Sequence, residues 1–303
     1  MKTIYRENLK IPEYVFGEKS DNPENSVAIV GALRGNEVQQ TFICASLVRI
    51  LTELETNAKI RGYIKIFPCV NRYSMNVGKR FWASDNTDIN RMFPGFCEGE
   101  TKQRVADEVF EKVKNFKYGI QLASFYLPGE FMPHVRIIKT AFTDTNEAFD
   151  FGLPNVFVAE PSPFDTATLN YNWQIWNTSA YSLYSKTTEK IDIFSADIII
   201  NSILTFLSKN GIIKYDIATI TAKTENTIYY KKDLVNVVSP CGGILIHKAT
   251  SGEKIMKEQV LAEIIDPLSG NIKAVVYAPK TGQIFYTHTS NLISEHEIVY
   301  RII

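Results

Sequence analysis

The run Val27-Ala28-Ile29-Val30 leads directly into Gly31-Ala32-Leu33-Arg34-Gly35-Asn36-Glu37, and how this junction is read decides the fold. Four consecutive apolar residues bounded by a glycine read as a buried strand. From Val38 to Leu54 the apolar residues recur at helical spacing, so a helix is expected immediately after the turn. Asn36 is the expected N-cap. A strand that turns sharply through glycine into a helix sets its turn at the carboxyl edge of a sheet, where open α/β folds hold their ligands. Arg34 and Glu37 are therefore expected to face a pocket.

Working outward, residues 1–25 read as an extended, charged segment punctuated by Pro12, Gly17 and Pro23. Tyr63 to Phe67 reads as a strand stopped by Pro68. Cys69 to Gly99 shows no sustained periodicity, and a loop of that length is functional or disordered; Phe81, Trp82, Met92 and Phe93 favour an ordered one. Thr101 to Phe116 reads as a helix with Val105, Val109 and Val113 on one face. Tyr118 to Ser124, His134 to Lys139, Asn155 to Ala159 and Ala180 to Ser185 read as strands, and Ser195 to Leu207 as a helix ended near Asn210-Gly211. Thr166 to Trp176 reads equally as a helix or an aromatic-rich loop. Strands alternating with helices imply an α/β domain whose mixed, largely parallel sheet has helices on both faces.

Near Tyr215 the texture changes to short β-rich runs, Ile244-Leu245-Ile246, Ala274 to Tyr277 and Ile284 to Tyr286, separated by Gly242-Gly243, Gly252, Gly270 and Gly282. The chain is thus expected to divide into an α/β domain over 1–214 and a small all-β, barrel-like domain over 215–303. The hairpins around Tyr277-Ala278-Pro279-Lys280-Thr281-Gly282 look like those of a biotinyl or lipoyl barrel. Lys273, however, lacks the Met-Lys-Met setting of a modified lysine and reads as a surface residue.

With 303 residues, 45% of them hydrophobic and 22% charged, the chain can bury a large core. Lys+Arg and Asp+Glu both number 33, and no basic run is interleaved with aromatics, which argues against a nucleic-acid partner. No apolar stretch approaches membrane-spanning length, and Met1-Lys2-Thr3-Ile4-Tyr5-Arg6 lacks the apolar core of a signal peptide. A cytoplasmic protein that does not engage membranes is the expectation. Cys44, Cys69, Cys97 and Cys241 form no Cys-x-x-Cys pair, so neither a disulfide framework nor a cysteine zinc site is expected.

The heptapeptide Gly31 to Glu37 resembles the Gly-x-His-Gly-Asn-Glu signature of the succinylglutamate desuccinylase/aspartoacylase family, a branch of the zinc carboxypeptidase superfamily. Asp88-Ile89-Asn90-Arg91-Met92-Phe93-Pro94-Gly95 resembles the same family's Asp-Leu-Asn-Arg-x-Phe-Pro-Gly segment. The resemblance implies a zinc-carboxypeptidase-like sheet. It also implies that Asn90 and Arg91, with Asn71 and Arg80 upstream, bind the carboxylate of a small N-acyl amino acid or peptide-like ligand. The chemistry suits that role, since a guanidinium offers two parallel charge-assisted hydrogen bonds to a carboxylate.

The metal positions depart from the family. The resemblance puts a zinc-binding His and Glu in the first motif and a second His in Asp-Leu-His-Ser, but here Arg34 stands at the first His and Gln121-Leu122-Ala123-Ser124 replaces the last motif. Glu37 alone remains of the ligand set. A guanidinium has no acceptor and cannot ligate. At about 4 Å it repels a dication with roughly twice the ~4 kcal/mol of a unit charge pair near a surface. The expectation is that Arg34 takes the metal's place and pairs with Glu37. The family's Thr-x-Glu-x-Gly strand aligns with Ser182-Leu183-Tyr184-Ser185-Lys186, which puts Tyr184 at the general base; a phenol titrating near about 10 is a poor base at neutral pH. His134, at the start of the strand after Ala123, is a possible pocket residue and otherwise a structural histidine. Cys44 reads as a buried thiol, Cys69 as better placed but without a matched histidine, and no Gly-x-Ser-x-Gly elbow appears. Trp173, Trp176, Tyr171 and Tyr181 are either pocket wall or core.

Three functions follow. The first is a metal-free, non-hydrolytic relative that keeps a carboxylate-binding pocket and uses no cofactor. The second is an active amide hydrolase with an atypical site, which would bring zinc back. The third is a scaffold whose β domain carries a protein contact. Oligomeric state is not legible in the sequence.

Overall fold

A computed structural model describes residues 9–19, 23–141, 145–216 and 226–303. The chain forms two compact units, one of residues 1–124 and 133–229 and one of Phe125–Met132 with Tyr230–Ile303. The texture boundary at residue 215 stands just before residues 217–225, which lie outside the described ones. The detour of Phe125–Met132 into the second unit has no counterpart in composition.

In chain order the first unit begins with β1 (Tyr14–Phe16), β2 (Ser26–Val30), α1 (Val38–Thr56), β3 (Tyr63–Phe67), α2 (Arg72–Asn76), α3 (Thr101–Val113) and β4 (Tyr118–Ala123). After the short strand β5 (Gly129–Phe131), it continues with β6 (His134–Ile138), β7 (Asn155–Ala159), α4 (Leu169–Ile175), β8 (Ser179–Tyr184), α5 (Ile193–Lys209) and β9 (Thr227–Tyr230). Eight strands make one sheet in the order β1-β3-β2-β4-β8-β6-β7-β9. The pairs β3–β2, β2–β4, β4–β8 and β6–β7 are parallel, while β1–β3 and β8–β6 are antiparallel.

Both faces of this sheet are buried, and β2 shows it residue by residue. Val27 and Ile29 pack with α1 and α5, whereas Ala28 and Val30 pack with α3 and α4. That two-sided burial is why the strand reads as a continuous apolar run. Helix α1 buries Ile43, Cys44, Leu47, Leu51 and Leu54. Helix α3 buries Val105, Ala106, Val109, Phe110 and Val113, and Gln103 Oε1 accepts the Glu100 amide at 2.9 Å to close its first turn. It stops at Val113, three residues short of the expected Phe116. The ambiguous stretch 166–176 resolves into a 3-10 turn at Asp165–Ala167 followed by α4, whose N-cap Thr168 accepts from the Tyr171 amide at 3.3 Å.

Two further expectations are corrected. Asn36 does not cap α1: the N-cap is Glu37, and the Asn36 amide instead donates to Glu189 Oε1 at 2.7 Å. The reason is that the Glu37 carboxylate is drawn back onto the turn, as described below. The long loop 69–99 is ordered but not structureless, because it contains α2 and a 3-10 turn at Ile89–Arg91.

The second unit holds β5 and then β10 (Val235–Val238), β11 (Gly243–His247), β12 (Lys254–Ile255), β13 (Val260–Ile265), β14 (Ile272–Tyr277), β15 (Gly282–His288), β16 (Leu292–Ile293) and β17 (Ile298–Ile302). One sheet runs β10-β17-β15-β12 with β5 also on β15, and the other runs β14-β13-β11-β16. Their pairings are antiparallel, and Leu245, Ile264, Val276, Ile284, Val299 and Ile302 share one core. The expected all-β class is thus met by two small sheets. Lys273 is exposed, and its ammonium rests on the Gly242 carbonyl at 2.9 Å. Among the described residues no helix is long and apolar enough to cross a membrane.

Helix α4 packs closely on the sheet. Trp173 is fully buried, donates its indole N–H to the Val113 carbonyl at 3.1 Å, and lies so close to Gly119 of β4 that an added Cβ would stand 2.6 Å from Cδ2 of the ring. Gly119→Ala is expected to lower unfolding stability by about 1–3 kcal/mol through overpacking. Trp173→Ala should cost about 3–5 kcal/mol. In Gly119→Ala/Trp173→Ala the two losses should not add, because the clash is gone; urea unfolding of the four proteins checks this, and simple additivity would contradict the contact.

Candidate functional site

The turn between β2 and α1 is held by its backbone before any side chain acts. The Gly31 amide donates to Phe67 O at 2.8 Å, Gly35 N to Arg80 O at 2.8 Å, and Asn71 N to Ala32 O at 2.9 Å. Gly35 has no room for a side chain, since a Cβ there would stand 2.2 Å from the Lys79 carbonyl and 2.6 Å from Met75 N. Ala32 has a φ of 39°, in the left-handed region that non-glycine residues rarely adopt. The 69–80 segment thus wraps the turn and fixes where residue 34 points.

Arg34 points inward and is 3% exposed. Its Nη1 donates to Glu37 Oε1 at 3.1 Å, and its backbone amide donates to Glu37 Oε2 at 3.0 Å. On its other side Nε and Nη2 both donate to Asp88 Oδ2, at 3.1 and 2.9 Å. Ser124 completes the cluster, donating from Oγ to Glu37 Oε1 at 2.6 Å, with Arg34 Nη1 3.4 Å from both Ser124 O and Oγ. The expected pairing of Arg34 with Glu37 is present. The second carboxylate, Asp88, belongs to a motif read in the sequence but was given no role there. Its other oxygen accepts the Asn90 amide at 3.0 Å, which ties the arginine to the start of the Ile89–Arg91 turn.

Such a cluster persists only because each ion is hydrogen-bonded as well as paired. Removing charges from water costs several kcal/mol per ion, and burial is tolerated only when good geometry offsets it. The donor set does not fit a zinc ion. A catalytic zinc takes three protein ligands and an open position, whereas here a guanidinium fills the centre, Ala123 offers a methyl group, and both Glu37 oxygens are already bonded. Among the described residues no group of three His, Cys, Asp or Glu could hold a metal ion.

Ala123, Tyr184 and His134 lie side by side. The register pairs Ala123 of β4 with Tyr184 of β8, and Tyr184 with His134 of β6. Both side chains are buried, and the His134 ring stacks on that of Tyr184 at 4.9 Å and 2° while meeting the edge of Phe157 at 5.0 Å. Three positions widely separated in sequence thus form one row across the sheet.

The four proposed carboxylate-binding residues are placed as follows. Asn71 is 1% exposed and caps α2, its Oδ1 accepting from Ser74 N at 3.2 Å, while its Nδ2 is buried with no partner. Asn90 is buried and accepts the Leu169 amide on Oδ1 at 3.2 Å. Arg80 is half-buried with its guanidinium 5.5 Å from the centre of the Phe81 ring. Arg91 is half-buried, donates to the Phe164 carbonyl, and lies 3.6 Å from Asp165 Oδ1.

The nucleophile candidates weighed from the sequence are thiols. Burial drives the Cys44 thiol far above its ordinary range. Cys69 is pushed up to about 11, first by burial and also by Glu37, against a hydrogen bond with Thr41 and the Arg72 charge. Trp173 and Tyr181 are core, whereas Trp176 is exposed and Tyr171 half-buried.

Two outcomes follow from this geometry. Arg34→Ala leaves buried Glu37 and partly buried Asp88 without their counter-ion and is expected to lower stability by about 3–5 kcal/mol. Arg34→Met/Glu37→Gln/Asp88→Asn, which removes all three charges together, should be closer to wild type; urea unfolding distinguishes the two, and equal losses would contradict the network. Second, in native protein at pH 8 a thiol reagent is expected to label exposed Cys97 rapidly, and Cys44 and Cys69 only after unfolding, because buried thiols there hold almost no thiolate. Mass spectrometry of the labelled peptides reads this directly.

Residues 23–122 match the family model of the succinylglutamate desuccinylase/aspartoacylase catalytic domain. None of the curated proteins matches the chain in sequence. Among solved structures, the chain is similar to a succinylglutamate desuccinylase from Silicibacter sp. TM1040, with a TM-score of 0.78 at 15% identity over 96% of this chain and 88% of that one. A product-bound ectoine utilization protein from Ruegeria pomeroyi gives 0.76 at 17% identity over 96% and 88%. An aspartoacylase family protein from Mesorhizobium loti gives 0.74 at 19% identity over 97% and 88%. At such identities the likeness speaks for the fold. Residues 23–122 therefore carry the catalytic-domain pattern of the succinylglutamate desuccinylase/aspartoacylase proteins, and the chain as a whole shares the fold of those solved structures.

Proposed function

We propose that this chain is a metal-free, non-hydrolytic protein of this type that binds a small carboxylate-bearing ligand, an N-acyl amino acid or peptide-like molecule, in the cytoplasm. The observation that carries the reading is the buried Arg34 held between Glu37 and Asp88. Amide hydrolysis needs an activated water and a base to take its proton. A cation bonded to both carboxylates leaves neither free to ligate a metal, and the position that the resemblance assigns to the base carries the Tyr184 phenol stacked on His134. Ligand binding draws its support from the residues retained at Asn71, Arg80, Asn90 and Arg91. The unpaired, buried Nδ2 of Asn71 supports it further, because a buried donor without an acceptor costs stability unless something completes it.

Elemental analysis of protein purified without chelator is expected to find well under one zinc per chain; stoichiometric zinc would displace this reading in favour of an amide hydrolase with an atypical site. In a thermal-shift panel of N-acyl amino acids and short peptides, a true ligand at 100 times its Kd should add about 2.7 kcal/mol. That gain should vanish in Arg80→Ala and Arg91→Ala. If no carboxylate raises the melting temperature, the scaffold reading takes its place. Zinc uptake by Arg34→His/Ala123→His/Tyr184→Glu would support the assignment of those three positions.

A further inference from the structure

The second unit presents a surface that its own core does not explain. A small antiparallel sheet with one face in the core ordinarily turns polar side chains outward on the other. In the β14-β13-β11-β16 sheet the inward set is clear, with Leu245, Ile264 and Val276 buried. The outward set is apolar as well. Register places Leu292 opposite Ile244, Ile244 opposite Ile265 and Ile265 opposite Ile272, so one aliphatic row crosses all four strands. Its two ends are 71% and 56% exposed. A second row pairs Ile246 with Glu263 and Glu263 with Val275, and a third pairs Val260 with Tyr277, which is 53% exposed.

The charges on this face cancel. Glu263 is bridged by Lys248 at 3.1 Å. Lys273 lies near Asp266, whose carboxyl is held below its usual range first by the Ser269 and Leu268 amides and also by that lysine. A face with no net charge meets a copy of itself without like-charge repulsion, whereas a charged partner would gain nothing from it.

We propose that this face is a self-association surface, on which a second copy of the chain packs sheet against sheet about a twofold axis. Isologous contact suits a patch with one aliphatic row running across the whole sheet, and two twisted sheets pack face to face at about 10 Å. Four strands at about 4.8 Å and six residues at about 3.4 Å give a footprint of roughly 400 Å². That is about half of the ~800 Å² per partner of a standard stable interface. The dimer is accordingly weak and reversible, forming as concentration rises.

Sedimentation equilibrium of the full chain from the micromolar to the millimolar range tests this. The weight-average mass should climb toward twice that of the monomer. Ile246→Lys and, separately, Leu292→Lys should weaken association at least tenfold. Both change exposed side chains, so their melting temperatures should match that of the wild type. Phe194→Lys, the same kind of change at an exposed apolar residue of α5, should leave association unaltered. A chain that stays monomeric throughout overturns the proposal, whether the face is then covered by another part of this chain or by a different partner. Association weakened equally by Phe194→Lys, or unchanged by both face variants, overturns it too.

Discussion

A guanidinium buried between two carboxylates is the constraint on which the rest of the site depends. Arg34 could not sit at 3% exposure alone, and neither could Glu37 at 1%. Together they exchange hydration for hydrogen bonds of good geometry, which is the condition under which buried ions are tolerated. The cluster joins three stretches distant in sequence: the β2–α1 turn, the Asp88–Arg91 segment and the end of β4 through Ser124. It also explains why Glu37, rather than Asn36, stands at the helix N-cap while its carboxylate bonds backward to residue 34.

The same cluster is what the proposed metal-free reading rests on. A divalent ion and a guanidinium both bring positive charge to a carboxylate, so an arginine satisfies the electrostatic demand that Glu37 makes. It brings no vacant coordination position and no ionisable water, and those are what a catalytic metal supplies. Stability and fold thus tolerate the exchange, while the proposed loss of hydrolysis follows from it. The row of Ala123, Tyr184 and His134 has the same character, since ring stacking and a methyl group stand where the resemblance implies a ligand and a base.

Much of this was legible from one dimension. The alternation of strands and helices follows from hydrophobic periodicity, and the two-sided sheet from the apolar run Val27 to Val30. The pairing of Arg34 with Glu37 also needed only local reasoning, because three residues across a tight turn must meet. Asp88 was harder to assign. It lies 54 positions from Arg34, and no spacing rule brings a loop carboxylate back to a turn. The Arg91–Asp165 contact and the detour of Phe125–Met132 into the β unit were hidden for the same reason. The outward aliphatic rows of the second unit had no periodic signature either. Bulges in β13 and β14 shift the register, and with it which residues face outward.

What the sequence by itself determined is the chemical inventory at the carboxyl edge of the sheet: an arginine, an alanine and a tyrosine at positions where the resemblance implies two ligands and a base. Side-chain chemistry is local and survives any fold. What only the tertiary structure decided is who neutralises that arginine, because ion pairing depends on distances of a few ångströms between segments that the chain's own order leaves far apart.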